Sequence, residues 1–99
     1  MHIKCIQFKQ PMKITFDPNK AANNYRKHGI RFSDAEFVLF DPIALTREDM
    51  DAEGEQRFTS IGADATGRLT VVVYSYYGED IRLISARPAT ARERECYES

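Results

Sequence analysis

A chain of 99 residues, 42% hydrophobic and 29% charged, suffices for one domain with a single modest core. Its net charge of −1 excludes a protein coated in basic residues that holds nucleic acid by charge alone, but leaves room for a local basic site. No apolar run approaches the roughly 18–20 residues of a membrane span, and the opening "MHIKCIQFKQPM" is too polar and short for a signal peptide.

Cys5 and Cys96 lie near opposite ends with no Cys-x-x-Cys pair or Cys/His cluster. That spacing argues against a structural zinc site, and two free thiols suit a reducing cytoplasm. Met12 opens "MKITFDPNK", so residues 1–11 read as an N-terminal extension ahead of a single domain over 12–99, with a tail or an added edge strand as alternatives.

The elements follow in order. Ile14 to Phe16 alternate as a short strand. Asp17 is placed to N-cap a helix with Pro18 at its first position, and Gly29 to close it. Along that helix Ala21, Tyr25 and His28 share one face, and Lys20, Asn24 and Lys27 another. In "IRFSDAEFVLFDP" Ser33 and Glu36 form a capping box, Phe32 and Phe37 are spaced as a hydrophobic staple, and Asp41-Pro42 ends the helix. The helix reads as buried almost all round. The period then changes to two: "IALTRE", "RFTSIGA", "LTVVVYSYY" and "DIRLISA" read as strands joined by short connections. Thr90 and Glu93 form a second capping box, opening a C-terminal helix through Glu98. The pattern predicts an α+β fold: an antiparallel sheet of about four to five strands, two N-terminal helices and one C-terminal helix, with the helices on one face.

Acids gather at Glu48, Asp49, Asp51, Glu53 and Glu55. Counted from Asp49, a calcium loop would need its bidentate Glu where Ser60 stands, and strands flank it instead of helices. The EF-hand reading fails. A solvated loop, or a docking site for a basic partner, remains. His28 is open to two readings, a histidine packed beside Tyr25 or a general acid or base.

All lysines lie at or before Lys27, and every later basic side chain is arginine. Arg57, Arg68, Arg82 and Arg87 sit in or beside strands, where a rigid guanidinium fork can hold phosphate. Salt bridges to Glu55, Glu79 and Asp80 are the other reading. Regular alternation sends Arg82 and Arg87 to opposite faces unless the strand bends before Pro88. Tyr74, Tyr76 and Tyr77 either stack on bases or cover the sheet. A site of Arg, His and Glu suits RNA, whose 2′-hydroxyl supplies the nucleophile.

Three segments, "FDPNKAANNYRKHGIRFSDA", "EGEQRFTSIG" and "GRLTVVVYSYYGEDIRLISARPATARERECYE", together resemble the BrnT family of bacterial type II toxins, over about residues 12 to 98. The resemblance implies a RelE-like fold and a ribonuclease that arrests translation, with no cofactor and no metal. It implies a BrnA-like antitoxin partner, promoter DNA bound only through that antitoxin, and a hetero-oligomer that can contain two toxins. Carried onto this chain, Arg82 and Arg68 would hold the scissile phosphate, and Glu55 or His28 would take the 2′-hydroxyl proton. Lys27, Arg57 and Arg87 would steer the RNA backbone. Phe58 stands where relatives often carry tryptophan, which removes support for base stacking there. A non-catalytic module, inhibiting by occupying the ribosome or acting as co-repressor, is the alternative.

Overall fold

The computed structural model describes residues 13–50 and 54–99. The expected extension over 1–11, with Cys5, and the acids Asp51 and Glu53 lie outside the described residues. Strand β1 (Ile14–Thr15) leads into helix α1 (Pro18–His28), a short helix α2 (Phe32–Ala35) and a 3₁₀ helix (Glu36–Phe40). Then come β2 (Leu45–Met50), β3 (Gln56–Ala63), β4 (Leu69–Tyr77), β5 (Asp80–Pro88) and helix α3 (Ala91–Glu98).

The five strands form one sheet in the order β1-β5-β4-β3-β2. Strands β2 to β5 are the expected antiparallel meander. The sheet as a whole is mixed, because β1 pairs parallel to β5, Ile14 opposite Ile81 and Thr15 opposite Arg82. The hairpin rule governs only strands joined by short turns. Two α-helices, the 3₁₀ helix and three strands separate β1 from β5, so that rule does not set their direction.

Both expected caps of α1 form. Asp17 accepts from the Asn19 amide at 2.9 Å, and Gly29, left-handed at φ 73°, donates to the Tyr25 carbonyl. The second helix differs from expectation. It starts at Phe32 with Arg31 as N-cap and no side-chain cap, so Ser33 stands two residues past the cap and closes no box with Glu36. Its continuation tightens to three residues per turn, which puts Phe32, Ala35 and Val38 on the buried side. Phe37, expected in a staple, is therefore 52% exposed, and Phe40 is similarly open.

The core lies between one sheet face and these N-terminal helices: Ile30, Phe32, Ala35 and Val38 meet Val72, Tyr74, Ile81, Leu83 and Ala86. Asn24 is 8% exposed in this layer. Its amide donates to the Ala86 carbonyl at 2.8 Å and accepts from the Ala86 amide at 3.1 Å. Strand β1 stops short of Ala86, and Asn24 supplies the pairing another strand residue would have made.

Helix α3 departs from the one-face expectation. Its Arg92, Glu93 and Cys96 border a cleft of about 310 Å³ with Leu45, Ile61 and Arg87. Leu45 pairs with Ile61, Ile61 with Val71 and Val71 with Arg87, one row on the face opposite the core. The Thr90–Glu93 capping box forms as expected. Tyr97 ties the helix back to the 3₁₀ helix, its hydroxyl donating to Asp41 Oδ2 at 2.6 Å. The same oxygen accepts from the Ala63 amide at 2.9 Å.

Candidate active site

The open face is where the strand arginines meet, and a bulge brings them there. Val73 pairs with Ser85 but Tyr74 pairs with Leu83, leaving Ile84 as an extra residue in β5. The alternation is thereby reset between Arg87 and Arg82. Arg87 opposite Val71, Ser85 opposite Val73 and Arg82 opposite Ser75 all point away from the core. On β3, Arg57 lies one step beyond the Phe58–Tyr74 pair and so flanks Ser75 from the other side. Strand spacing of about 4.8 Å sets the Cα atoms of Arg57 and Arg82 about 10 Å apart across Ser75. Arg47, on β2 opposite Thr59, extends the same face.

These guanidiniums differ in what they already hold. Arg87 makes a two-pronged pair with Glu93, at 2.9 and 2.8 Å. That hydrogen bonding, joined by the Thr90 amide, lowers the Glu93 carboxyl to about 2 and raises the Arg87 guanidinium. Arg87 is thus a structural bolt between β5 and α3. Arg57 meets Glu55 Oε1 at 3.0 Å, and Arg47 meets Asp49 Oδ2 at 3.0 Å. Arg82 sits over the Tyr77 ring at 5.2 Å and has no ion pair with a carboxylate among the described residues. Of the expected ion pairs, Arg57 with Glu55 forms; Arg87 and Arg68 pair instead with Glu93 and Asp64, which were not among the expected partners, and Arg82 pairs with none of the described carboxylates.

The expected site residues divide between the two ends of the sheet. Glu55, Arg57 and Arg82 come together beside the β4–β5 turn. Arg68 is at the opposite end, where it meets Asp64 at 3.2 Å, Thr66 at 3.1 Å and the Gly29 carbonyl at 3.2 Å. It thereby anchors the end of α1, which carries the exposed Lys27 and half-buried His28. Seven strand steps of about 3.3 Å separate Arg68 from Ser75, about 23 Å in all. Arg68 and Arg82 cannot grip the same phosphate, and His28 is remote from Arg82.

Aromatic rings cap the core-side face at the Arg82 end. Phe58 stacks on Tyr74 at 5.7 Å and meets Tyr76 at 5.2 Å, so neighbouring rings already occupy it. Tyr76 and Tyr77 are half exposed on opposite faces of β4. No group of three or more His, Cys, Asp or Glu suited to a metal occurs among the described residues. Nor is any described helix long and apolar enough to cross a membrane.

An α+β domain with guanidiniums fixed on an open sheet face has the makings of a polyanion-binding protein. The family model for the ribonuclease toxin BrnT of type II toxin-antitoxin systems matches residues 16–93, and the chain belongs to that family. Among solved structures it is similar to the Brucella abortus ribonuclease toxin BrnT, at 30% identity and a TM-score of 0.63, over 80% of this chain and 97% of that one. Family membership implies an antitoxin partner. No curated protein matches.

Proposed function

We propose that this protein is a metal-independent endoribonuclease acting at the Arg57–Arg82 end of the open face, inhibiting translation and neutralised by a BrnA-like antitoxin. The observation that carries this reading is Arg82: a guanidinium on a rigid strand, without a carboxylate partner among the described residues, facing the same side as Arg57 and its neighbour Glu55. Glu55 takes the proton of an RNA 2′-hydroxyl, and the 2′ oxygen attacks the adjacent phosphorus. The bond from phosphorus to the 5′ oxygen breaks, leaving a 2′,3′-cyclic phosphate and, after proton uptake from water, a 5′-hydroxyl. Arg82 and Arg57 stabilise the charge gathering on the phosphate oxygens.

Lys27, His28 and Arg68 suit contact with the RNA backbone further along the strand. Arg87 acts through α3, holding the face together. The protein works in the cytoplasm within a hetero-oligomer that can contain two toxins, and the antitoxin makes the contact with promoter DNA.

The test is cleavage of end-labelled RNA in EDTA, then of messenger RNA on translating ribosomes, by the wild type and Arg82→Ala. We expect Arg82→Ala to cut at least about 100-fold more slowly with an unchanged Tm. Equal cleavage by both proteins overturns this site. Absence of cleavage on either substrate overturns the enzyme and favours the binding-only module.

A further inference from the structure

We infer that the Ser75 hydroxyl is a phosphate ligand, donating a hydrogen bond to the anion held between Arg57 and Arg82. This rests on the RNA-binding reading above and adds a group that carries no charge. Ser75 is 2% exposed, yet among the described residues its Oγ has no hydrogen-bond partner. Buried hydroxyls are normally satisfied, because desolvating one without a partner is unfavourable. Ser60, on the same sheet but the core side, behaves normally: its Oγ lies 3.0 Å from the Tyr74 hydroxyl and 2.8 Å from Thr46 Oγ1.

The neighbours of Ser75 explain what would satisfy it. Arg82 stands directly opposite on β5, Arg57 flanks it on β3, and Tyr77 follows two residues along the same strand. Arg82 lies over the Tyr77 ring, so the long side chains around Ser75 form a cationic rim with a hydroxyl at its floor. Among the described residues, Glu55, paired with Arg57, and Asp49, opposite Arg57 on β2, border this rim, and Asp17 lines a small pocket with Lys20 beside Arg82. Long side chains can swing apart to admit an anion, whereas the hydroxyl is fixed to the central strand. A phosphate oxygen drawn between the two guanidiniums comes to rest above Ser75, and the serine proton completes its coordination. The hydroxyl thus distinguishes a phosphate with an oxygen directed at the floor from a diffuse charge attracted to the rim.

The test measures binding of a non-cleavable 2′-O-methyl oligonucleotide by fluorescence anisotropy across a salt series, with Tm, for the wild type, Ser75→Ala and Arg82→Ala. Ser75→Ala is expected to bind about tenfold more weakly, with the salt slope of the wild type, because the lost group is neutral. Its Tm is expected to rise by ~4–8 °C, since an unsatisfied buried hydroxyl has gone. Arg82→Ala is expected to weaken binding and flatten the salt slope. Weaker binding with a raised Tm supports the assignment, a combination that damage to the fold does not produce. Ser75→Ala binding like wild type while Arg82→Ala binds weakly overturns the serine alone. Ser75→Ala losing affinity and Tm together overturns it as a structural effect. Arg82→Ala binding like wild type overturns the reading on which the serine depends.

Discussion

Asn24 shows how much one side chain can carry without advertising it. Spacing along α1 put it with Lys20 and Lys27 on a polar face, and polar it is, but that face meets the unpaired edge of β5. Its amide satisfies both backbone groups of Ala86 and the Ile30 carbonyl, at 3.2 Å for the last. Nothing local to "AANNYRK" distinguishes this asparagine from Asn23; the difference arises only when β1 ends too early to cover Ala86. Asn24→Ala leaves three backbone groups without that partner, and we expect a loss of about 2–4 kcal/mol, read from urea denaturation. Ser75 was hidden for the same reason. A serine in an alternating strand looks ordinary until its cross-strand neighbours are known.

At the scale of elements, capping chemistry and period were the legible signals. Asp17, Pro18, Gly29, Thr90 and Glu93 each do locally what their residue types favour. The segment after Arg31 departs from its local signals because Ser33 and Glu36 mimic a box while burial of Phe32 starts the helix two residues earlier. The 3₁₀ helix then presses on β3 where Gly62 leaves room. A Cβ at Gly62 would lie 3.0 Å from Asp41 Oδ2 and 3.1 Å from Val38 Cγ1. Neither neighbour is free to yield, since Val38 is in the core and Asp41 holds both the Ala63 amide and Tyr97. Gly62→Ala is therefore expected to destabilise by about 1–3 kcal/mol and to loosen α3. Faster amide exchange in Ala91–Glu98 than elsewhere would check the second half of that expectation.

For the whole molecule, the ion pairs predict how stability answers to pH. Burial raises the Asp41 and Asp64 carboxyls, but hydrogen bonds outweigh it and lower both: Tyr97, Ala63 and Ile43 act on Asp41, and Thr66 and Arg68 on Asp64. Glu93 is lowered to about 2. A carboxyl lowered by folding adds stability above its unfolded value, and that stability is lost as pH falls through the folded one. Stability should therefore decline from about pH 5 towards pH 2. With a quarter of Glu93 and 40% of Arg87 exposed, their share after solvent screening is about 1–2 kcal/mol. Glu93→Gln should remove that share at pH 7 and flatten the acid limb of a Tm-against-pH curve. A limb unchanged by the substitution would show that Arg87 gives Glu93 no stabilising preference for its charged form.

The fold class and family were legible because the elements and the terminal motifs stand in order along the chain. The grouping of the site was not, because Arg68 and Arg82 look like partners until the strands are laid side by side. Ile84 has the widest consequence. Whether Arg82 faces the open side or the hydrophobic interior depends on whether the count from Arg87 is broken once, so the cationic surface has a parity. Removing that single aliphatic residue changes no charge and leaves the composition nearly the same. Without it Arg82 would stand four residues from Arg87, and unbroken alternation would leave both on the open face; it is pairing Ile84 into the ladder, with the bulge straightened, that would turn the guanidinium toward the core. In "IRLISAR" the facing of Arg82 is set by spacing and bulge together, so an odd separation from Arg87 with one unpaired residue and an even separation with none give the same surface.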